Sequence, residues 1–215
     1  KIRKITPDGQ VTTIAGSTQG YKDGPAAQAL FSSPSGLTVD HLGNIYVADT
    51  GNHRIRTITP EGKVYTLAGN GSSRVVDNTD PTKASFDYPS AIVTTLKGDF
   101  YVASQRGYKI RKISNKGVVT TLAGSTRGSR DGSKTTAQFS NIYGLTLSPA
   151  GTIIVADTGN NRIREVSQAG LVKTIAGTSG STWKDGPARL AQLVPYAVAY
   201  DVEGNLYIAD SNNRR

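Results

Sequence analysis

The sequence predicts an all-β fold, a β-propeller of four-stranded antiparallel blades, from three observations. A motif recurs with a period of about 53 residues, glycines punctuate short apolar runs, and a small residue opens each copy. The motif is Ile-Arg-x-Ile or its Val variant, and its isoleucines are Ile2, Ile55, Ile110 and Ile163, at intervals of 53, 55 and 53 residues. Four copies of one short unit favour repeated blades.

The first full copy, residues 36–69, contains four predicted strands. Strand a covers about Gly36 to Asp40, strand b Ile45 to Asp49, strand c Arg54 to Thr59 and strand d Lys63 to Ala68. Glycine turns at Gly43 and Gly62 join a to b and c to d, because a hairpin commonly needs a residue with positive φ.

Strand b and the start of strand a indicate how copies pack. The run Ile45-Tyr46-Val47-Ala48 is apolar throughout, which predicts a strand covered on both faces. The residues that open the a strands are Gly36, Ala91, Gly144 and Ala197. We expect these strands to crowd together, as they do at the axis of a propeller.

The long loops before the a strands also repeat. Each contains an aspartate (Asp23, Asp77, Asp131, Asp185) and then an apolar residue (Phe31, Phe86, Phe139, Leu193). We interpret each aspartate as the cap of one helical turn and each apolar residue as an anchor for the loop.

The copies predict a single domain over residues 1–215. Its blades cover about 36–69, 89–124, 142–177, and 195–215 plus 1–16. We therefore expect the termini to share the last blade, with Asn205 to Asp210 pairing with Ile2 to Ile5. The alternative is a segment of a six-bladed or longer array, in which other blades cover those ends.

Composition gives few chemical constraints. The formal net charge is +9 and there is no cysteine, so disulfides and thiol nucleophiles are excluded. No apolar run is long enough to predict a membrane span. The chain starts at Lys1 without Met, and Asn70-Gly71-Ser72 is a lone glycosylation sequon that favours an extracellular or secreted location without establishing it.

Two runs resemble NHL repeats. They read NIYVADTGNHRIR, from Asn44 to Arg56, and TIIVADTGNNRIR, from Thr152 to Arg164. The resemblance extends over the whole chain and implies a β-propeller, although NHL propellers usually have six blades and this chain has four copies. It also implies diverse functions, which include protein and RNA scaffolding, sugar-lactone hydrolysis and peptide-amidating lyase chemistry.

Polar residues recur at the b–c turn. They are predicted to form a structural clamp in which aspartate and asparagine hold an arginine of strand c. The set is Asp49, Asn52, Arg54, Asp157, Asn160, Arg162 and Asp210.

Basic residues cluster in the b–c turns and strands c, and we expect them to form a basic face. The candidate binding residues are Arg3, Lys4, Arg56, Arg106, Lys109, Arg111, Arg164, Arg214 and Arg215. Because Tyr108 is the single clear stacking aromatic beside them, a protein partner or acidic polymer is favoured over sequence-specific nucleic acid.

No constellation predicts catalysis, and we assign no catalytic residue, metal or cofactor. His41 and His53 lack a histidine neighbour, and Asp40 and Asp201 are interpreted as turn caps. The predicted function is a non-catalytic binding or scaffold module that contacts a partner or builds a larger assembly. The alternative is a lactonase- or lyase-like propeller enzyme.

Overall fold

The computed structural model describes residues 1–211 and shows an all-β chain of two compact units. Unit 1 contains Lys1–Phe100 and Ile113–Val119, and unit 2 contains Tyr101–Lys112 and the described residues from Thr120 onward. The expectation that residues 1–215 form a single propeller domain stays a prediction.

Unit 1 begins with a two-stranded hairpin and continues into a complete blade. The hairpin strands are β1 (Ile2–Ile5) and β2 (Val11–Ala15). The blade strands are β3 (Gly24–Pro25), β4 (Pro34–Val39), β5 (Ile45–Asp49), β6 (Arg54–Ile58) and β7 (Lys63–Ala68), in the order β3-β7-β6-β5-β4. Strands b and d begin and end where the sequence predicts, and strand a starts two residues earlier.

A second four-stranded sheet has the order β8-β9-β10-β11, with strands assigned to both units. Its strands are β8 (Pro89–Thr94), β9 (Phe100–Ser104), β10 (Lys109–Ile113) and β11 (Val119–Ala123).

Unit 2 contains another complete blade and a final hairpin. The blade strands are β12 (Ile142–Leu147), β13 (Ile153–Asp157), β14 (Arg162–Val166) and β15 (Val172–Ala176). The hairpin strands are β16 (Pro195–Tyr200) and β17 (Leu206–Asp210). Short 3₁₀ turns, Thr50–Asn52 and Thr158–Asn160, join β5 to β6 and β13 to β14.

The small residues at the starts of the a strands have the predicted role. A Cβ on Gly36 would lie 2.7 Å from the Cα of Ala91, and one on Gly144 would lie 2.9 Å from the Cα of Ala197. Neighbouring a strands therefore approach to backbone contact within each unit, and a side chain at either glycine would force them apart.

The loop anchors are confirmed, because Phe31, Phe86, Phe139 and Leu193 are all buried. The prediction that every b strand is covered on both faces is wrong for β17. Strand β13 is buried along its whole length, whereas alternate residues of β17 are exposed.

The predicted pairing of the chain ends is not confirmed. Strands β1 and β2 form one two-stranded sheet, and β16 and β17 form another. Each is half of a blade: the first consists of strands c and d, and the second of strands a and b. The sequence arithmetic identifies complementary halves but does not decide what each half pairs with.

Candidate functional site

The most elaborate polar site in unit 1 surrounds the guanidinium of Arg56, which is fully buried. Nη1 donates to Asp49 Oδ2 at 2.8 Å, and Nη2 donates to Asp23 Oδ1 at 2.5 Å. Nε also donates to Asp23 Oδ1, and the remaining N–H groups donate to the carbonyls of Leu30 and Lys22. All five donors of the arginine are therefore used, as burial of a charge requires.

Unit 2 repeats this arrangement around Arg164, which is also fully buried. Nη1 donates to Asp157 Oδ2 at 2.7 Å, and Nη2 donates to Asp131 Oδ1 at 2.7 Å. Nε donates to Asp131, and the carbonyls of Gln138 and Arg130 accept the remaining bonds. We call each such set, an arginine of strand c with two aspartates, a clamp.

The two aspartates of the unit 2 clamp differ in electrostatics. Burial raises the pKa of Asp157 above its ordinary value, against the hydrogen bonds from Asn160 and Ser140 and the attraction of Arg164. Burial also acts to raise the pKa of Asp131, but hydrogen bonds from Thr174 and the charge of Arg164 outweigh it and hold that pKa below its ordinary value. The difference arises because Asp131 remains partly exposed.

The 3₁₀ turn positions the strand b aspartate. Asn52 Nδ2 donates to Asp49 Oδ2 at 2.8 Å, and Ser32 N donates to Oδ1. Residue 53 closes the turn with φ of 54°, and its counterpart Asn161 has φ of 56°. The structural roles predicted for Asp49, Asn52, Asp157 and Asn160 fit this geometry. Asp210 shares the backbone contact, because Val194 N donates to its Oδ1 at 2.8 Å as Ser32 N does to Oδ1 of Asp49.

The arginine of the predicted clamp is wrong in both complete blades. The aspartates pair with Arg56 and Arg164, seven residues downstream, rather than with Arg54 and Arg162, five residues downstream. Arg54 instead donates to the carbonyls of Asn52 and Asn70, and Arg162 donates to the carbonyl of Ser129.

Two of the four loop aspartates, Asp23 and Asp131, are clamp residues rather than helix caps. Asp23 accepts from Arg56 and from the backbone N–H and hydroxyl of Thr66. The sequence analysis missed this role. A usable signal was present, since Asp23 and Asp131 each precede their clamp arginine by 33 residues.

The predicted basic face is corrected by burial. Arg56, Arg111 and Arg164 are fully buried and cannot contact an external polymer. Lys109 Nζ donates to the carbonyl of Ser125 at 2.6 Å, and Arg106 is exposed. Arg214 and Arg215 lie outside the described residues.

Arg3 and Lys4, on β1, are exposed. Lys1 and Arg3 line a groove of about 250 Å³ whose other wall includes Pro34, Leu37 and Val47. Leu37 is 51% exposed, and Ile5 of β1 is 70% exposed. This surface, which we call the β1 groove, therefore combines positive charge with apolar side chains.

The histidines and turn aspartates have local structural contacts. The ring of His53 packs edge-on against Tyr88 at 4.6 Å, and its Nδ1 accepts from the backbone N–H of that tyrosine. Asp40 accepts from the backbone N–H groups of Leu42 and Asn44, as a turn cap does. Within residues 1–211, no group of three or more acidic or histidine side chains is arranged to hold a metal ion.

Within the described chain, no helix has the length and apolar character needed to cross a bilayer.

Comparison with known proteins identifies the same repeat that the sequence and the blades show. The NHL repeat profile matches residues 31–58 and 139–165, which contain the two clamp arginines. The human NHL repeat-containing protein 2 is 30% identical over 100% of this chain. The chain belongs to the NHL-repeat family. A second relative, the chloroplastic protein SUPPRESSOR OF QUENCHING 1 of Arabidopsis thaliana, is 29% identical over 95% of the chain.

The chain corresponds to 35% of the human NHL repeat protein and 21% of the plant protein. Among solved structures, an auxiliary nutrient binding protein from Bacteroides thetaiotaomicron matches 99% of this chain and 57% of its own length, with a TM-score of 0.71 and 16% identity. Virginiamycin B lyase from Staphylococcus aureus matches 82% of this chain and 48% of its own length, with a TM-score of 0.57 and 17% identity. These likenesses concern the fold.

Proposed function

We propose that this NHL-repeat chain is a non-catalytic binding and scaffold module that assembles by strand addition. Its β1 groove accepts a β-strand with apolar residues followed by Ala-Asp, supplied by a protein segment. The observation that carries the proposal is Arg3, an exposed arginine at the position that is buried between two carboxylates in complete blades.

The strand register supports this equivalence. Arg3 pairs with Thr13, Arg56 with Thr66, and Arg164 with Thr174, and each pair follows the same register shift. Arg3 therefore has the strand d neighbour of a clamp arginine but lacks the b strand and the loop that bring the aspartates. No hydrogen bond or ion pair involves its guanidinium within the described residues.

Strand b of the complete blades shows what the missing partner resembles. In unit 1, Val47 pairs with Arg56 across the ladder, and Asp49, two residues on, supplies the carboxylate. Within residues 1–211, β2 is the single sheet neighbour of β1, so the outer edge of β1 carries unpaired backbone groups in the described structure. A strand added there would gain backbone hydrogen bonds, apolar contact with Leu37 and an ion pair with Arg3.

These features favour a protein strand over an acidic polysaccharide or nucleic acid. A polymer of charged units would satisfy Arg3 but not the apolar wall of the β1 groove. The run Leu206–Asp210 has the required pattern, and Asp185 in the preceding loop is exposed. A C-terminal half-blade of the same chain or of another copy is thus one source of the strand, as in the shared terminal blade expected from the sequence.

Binding of a strand peptide to the full chain tests the proposal. We expect a peptide of residues 205–211, NLYIADS, to bind in a fluorescence-polarisation titration, and the same peptide with Asp210→Asn to bind about tenfold more weakly. Arg3→Gln in the chain should cause a similar loss, whereas Lys22→Gln, an exposed change outside the groove, should not.

The chain's own C-terminal half-blade could already occupy the groove. In that case the peptide does not bind, but Arg3→Gln lowers the melting temperature of the intact chain, and the strand is internal. Absence of both effects contradicts the proposal. Heparin binding that depends equally on Arg3 and Lys22 would indicate that the positive surface charge binds an acidic polymer instead of a strand. Lactone or ester turnover with a stoichiometric metal would favour the enzyme alternative.

A further inference from the structure

A repeated loop position covers the first arginine of strand c. In unit 1 this position is Tyr21, whose ring centre lies 3.9 Å from Cζ of Arg54. Its hydroxyl lies 3.0 Å from Thr66 Oγ1, which itself donates to Asp23, so the tyrosine O–H is the donor in this pair. The tyrosine fills the space between the loop and strands c and d.

The same position differs between copies. Each residue lies two positions before the loop aspartate, and the set is Tyr21, Val75, Ser129 and Trp183. The backbone confirms the alignment, because residue 22 pairs with residue 30, and Gln138 N donates to the carbonyl of Arg130 at the matching place. Unit 2 therefore has a serine where unit 1 has an aromatic ring.

Unit 2 has a cavity of about 360 Å³ beside Arg162, and we call it the Ser129 cavity after the loop residue whose carbonyl accepts from that arginine. Its lining includes Asp131, Arg162, Thr174, Thr178, Ser179 and Arg189. Arg162 and Thr174 correspond to Arg54 and Thr66, the two residues that Tyr21 contacts. The volume falls within the range of roughly 300–1,000 Å³ that is usual for small-molecule sites.

The polar groups of the Ser129 cavity indicate the ligand. Nε of Arg162 is buried and has no hydrogen-bond partner within the described residues. Thr174 Oγ1 donates to Asp131 and so has a lone pair left for a ligand hydroxyl. The lining has two arginines, Arg162 and the exposed Arg189, against one aspartate, Asp131, which already accepts from Arg164 and Thr174.

We propose that the Ser129 cavity binds a hydroxyaryl acid. The ring lies over the guanidinium of Arg162, as the ring of Tyr21 does over Arg54. The ligand hydroxyl donates to Thr174 Oγ1, and its carboxylate faces Arg189. The chain's own first repeat thus shows how the ring is held, and Arg189 adds the preference for an acid.

Calorimetric titration of the full chain with 4-hydroxybenzoate tests the proposal. We expect saturable binding, about tenfold weaker binding of benzoate, which lacks the hydroxyl, and about tenfold weaker binding of 4-hydroxybenzoate to Arg189→Gln. The uncharged 4-hydroxybenzyl alcohol should bind that variant and the parent chain equally.

Two variants at one position provide matched controls. Ser129→Tyr restores the residue of the first repeat and should abolish 4-hydroxybenzoate binding without lowering the melting temperature, while Ser129→Ala should leave binding unchanged. Equal binding by the Tyr and Ala variants, or no saturable binding to the parent chain at millimolar probe, would overturn the proposal. If Ser129→Tyr does not fold, loss of affinity in Arg189→Gln for the acid alone decides the question.

Discussion

Replacing Asp157 with asparagine tests the structural role of the clamp. The carboxylate accepts three hydrogen bonds, from Ser140 N, Asn160 Nδ2 and Arg164 Nη1. An amide has the same shape but one acceptor and one donor side. In either orientation its NH₂ group faces a donor, so at least one of these bonds is lost and the buried guanidinium loses half of its compensating charge.

The size of the effect follows from burial. The side chains of Asp157 and Arg164 are both fully buried, and removing one partner of such a pair costs about 3–5 kcal/mol of unfolding free energy. For a chain of this length that corresponds to a fall in melting temperature of roughly 6–20 °C. Urea unfolding followed by circular dichroism and by Trp183, the single tryptophan, measures the change in unit 2.

Two controls separate the ion pair from general damage. Glu203→Gln changes an exposed carboxylate in the turn between β16 and β17 and should leave the unfolding midpoint unaltered. Replacing Asp157 with asparagine and Arg164 with methionine together should recover most of the lost stability, because no buried charge is then left unpaired. A loss below about 1 kcal/mol in Asp157→Asn would refute the structural clamp.

Three further predictions concern stability. Gly36→Ala should cost about 1–3 kcal/mol in urea unfolding because its Cβ meets backbone at 2.7 Å. Gly9→Asn should cost less, about 1 kcal/mol or below, because its Cβ meets nothing within 4 Å and the strain comes from the φ of 84° alone. The pKa of Asp131 is lowered on folding, so the stability that its carboxylate contributes is present above about pH 4 and is lost as pH falls through the folded pKa. Asp131→Asn should flatten the loss of stability in acid, and an acid unfolding profile identical to that of the parent chain would contradict this prediction. Burial and the hydrogen bond to Asp40 raise the pKa of Tyr46, so the stability of the chain should fall as pH rises above about 10. Thermal melts of Tyr46→Phe at alkaline pH should lack this fall, and an equal fall in the variant would contradict the prediction.

Periodicity and turn chemistry predict most of the fold. The bounds of β5 follow from an apolar run that ends at Asp49, and the close approach at Gly36 follows from the recurrence of small residues. These features are local or repeat at a fixed interval. The sequence of this one chain, with its four copies, therefore carries enough information to place them.

The clamp partner could not be obtained in the same way. Register places Asp49 directly opposite Arg54, yet its carboxylate binds Arg56 on the diagonal. The choice depends on the loop that brings Asp23 over Arg56, 33 residues away in sequence. Long-range loop placement also decides which arginines are buried, so a basic face could not be read from charge alone.

The ends of the chain show a further limit. Complementary half-blades are visible in the sequence, but their pairing depends on which strand reaches β1. Hydrogen-bond partners at a sheet edge are set by what is present to pair, and not by the pattern of the edge strand itself.

A charge-swap binding measurement tests strand addition at Arg3 most directly. Affinities are measured by fluorescence polarisation for the parent chain and Arg3→Asp, each with the 205–211 peptide and with its Asp210→Arg form. We predict tight binding for parent chain with parent peptide and for the doubly swapped pair, and at least about tenfold weaker binding for both mismatched pairs. Equal affinity in all four combinations, or no recovery in the doubly swapped pair, would contradict the proposal that Arg3 forms an ion pair with the aspartate of an added strand.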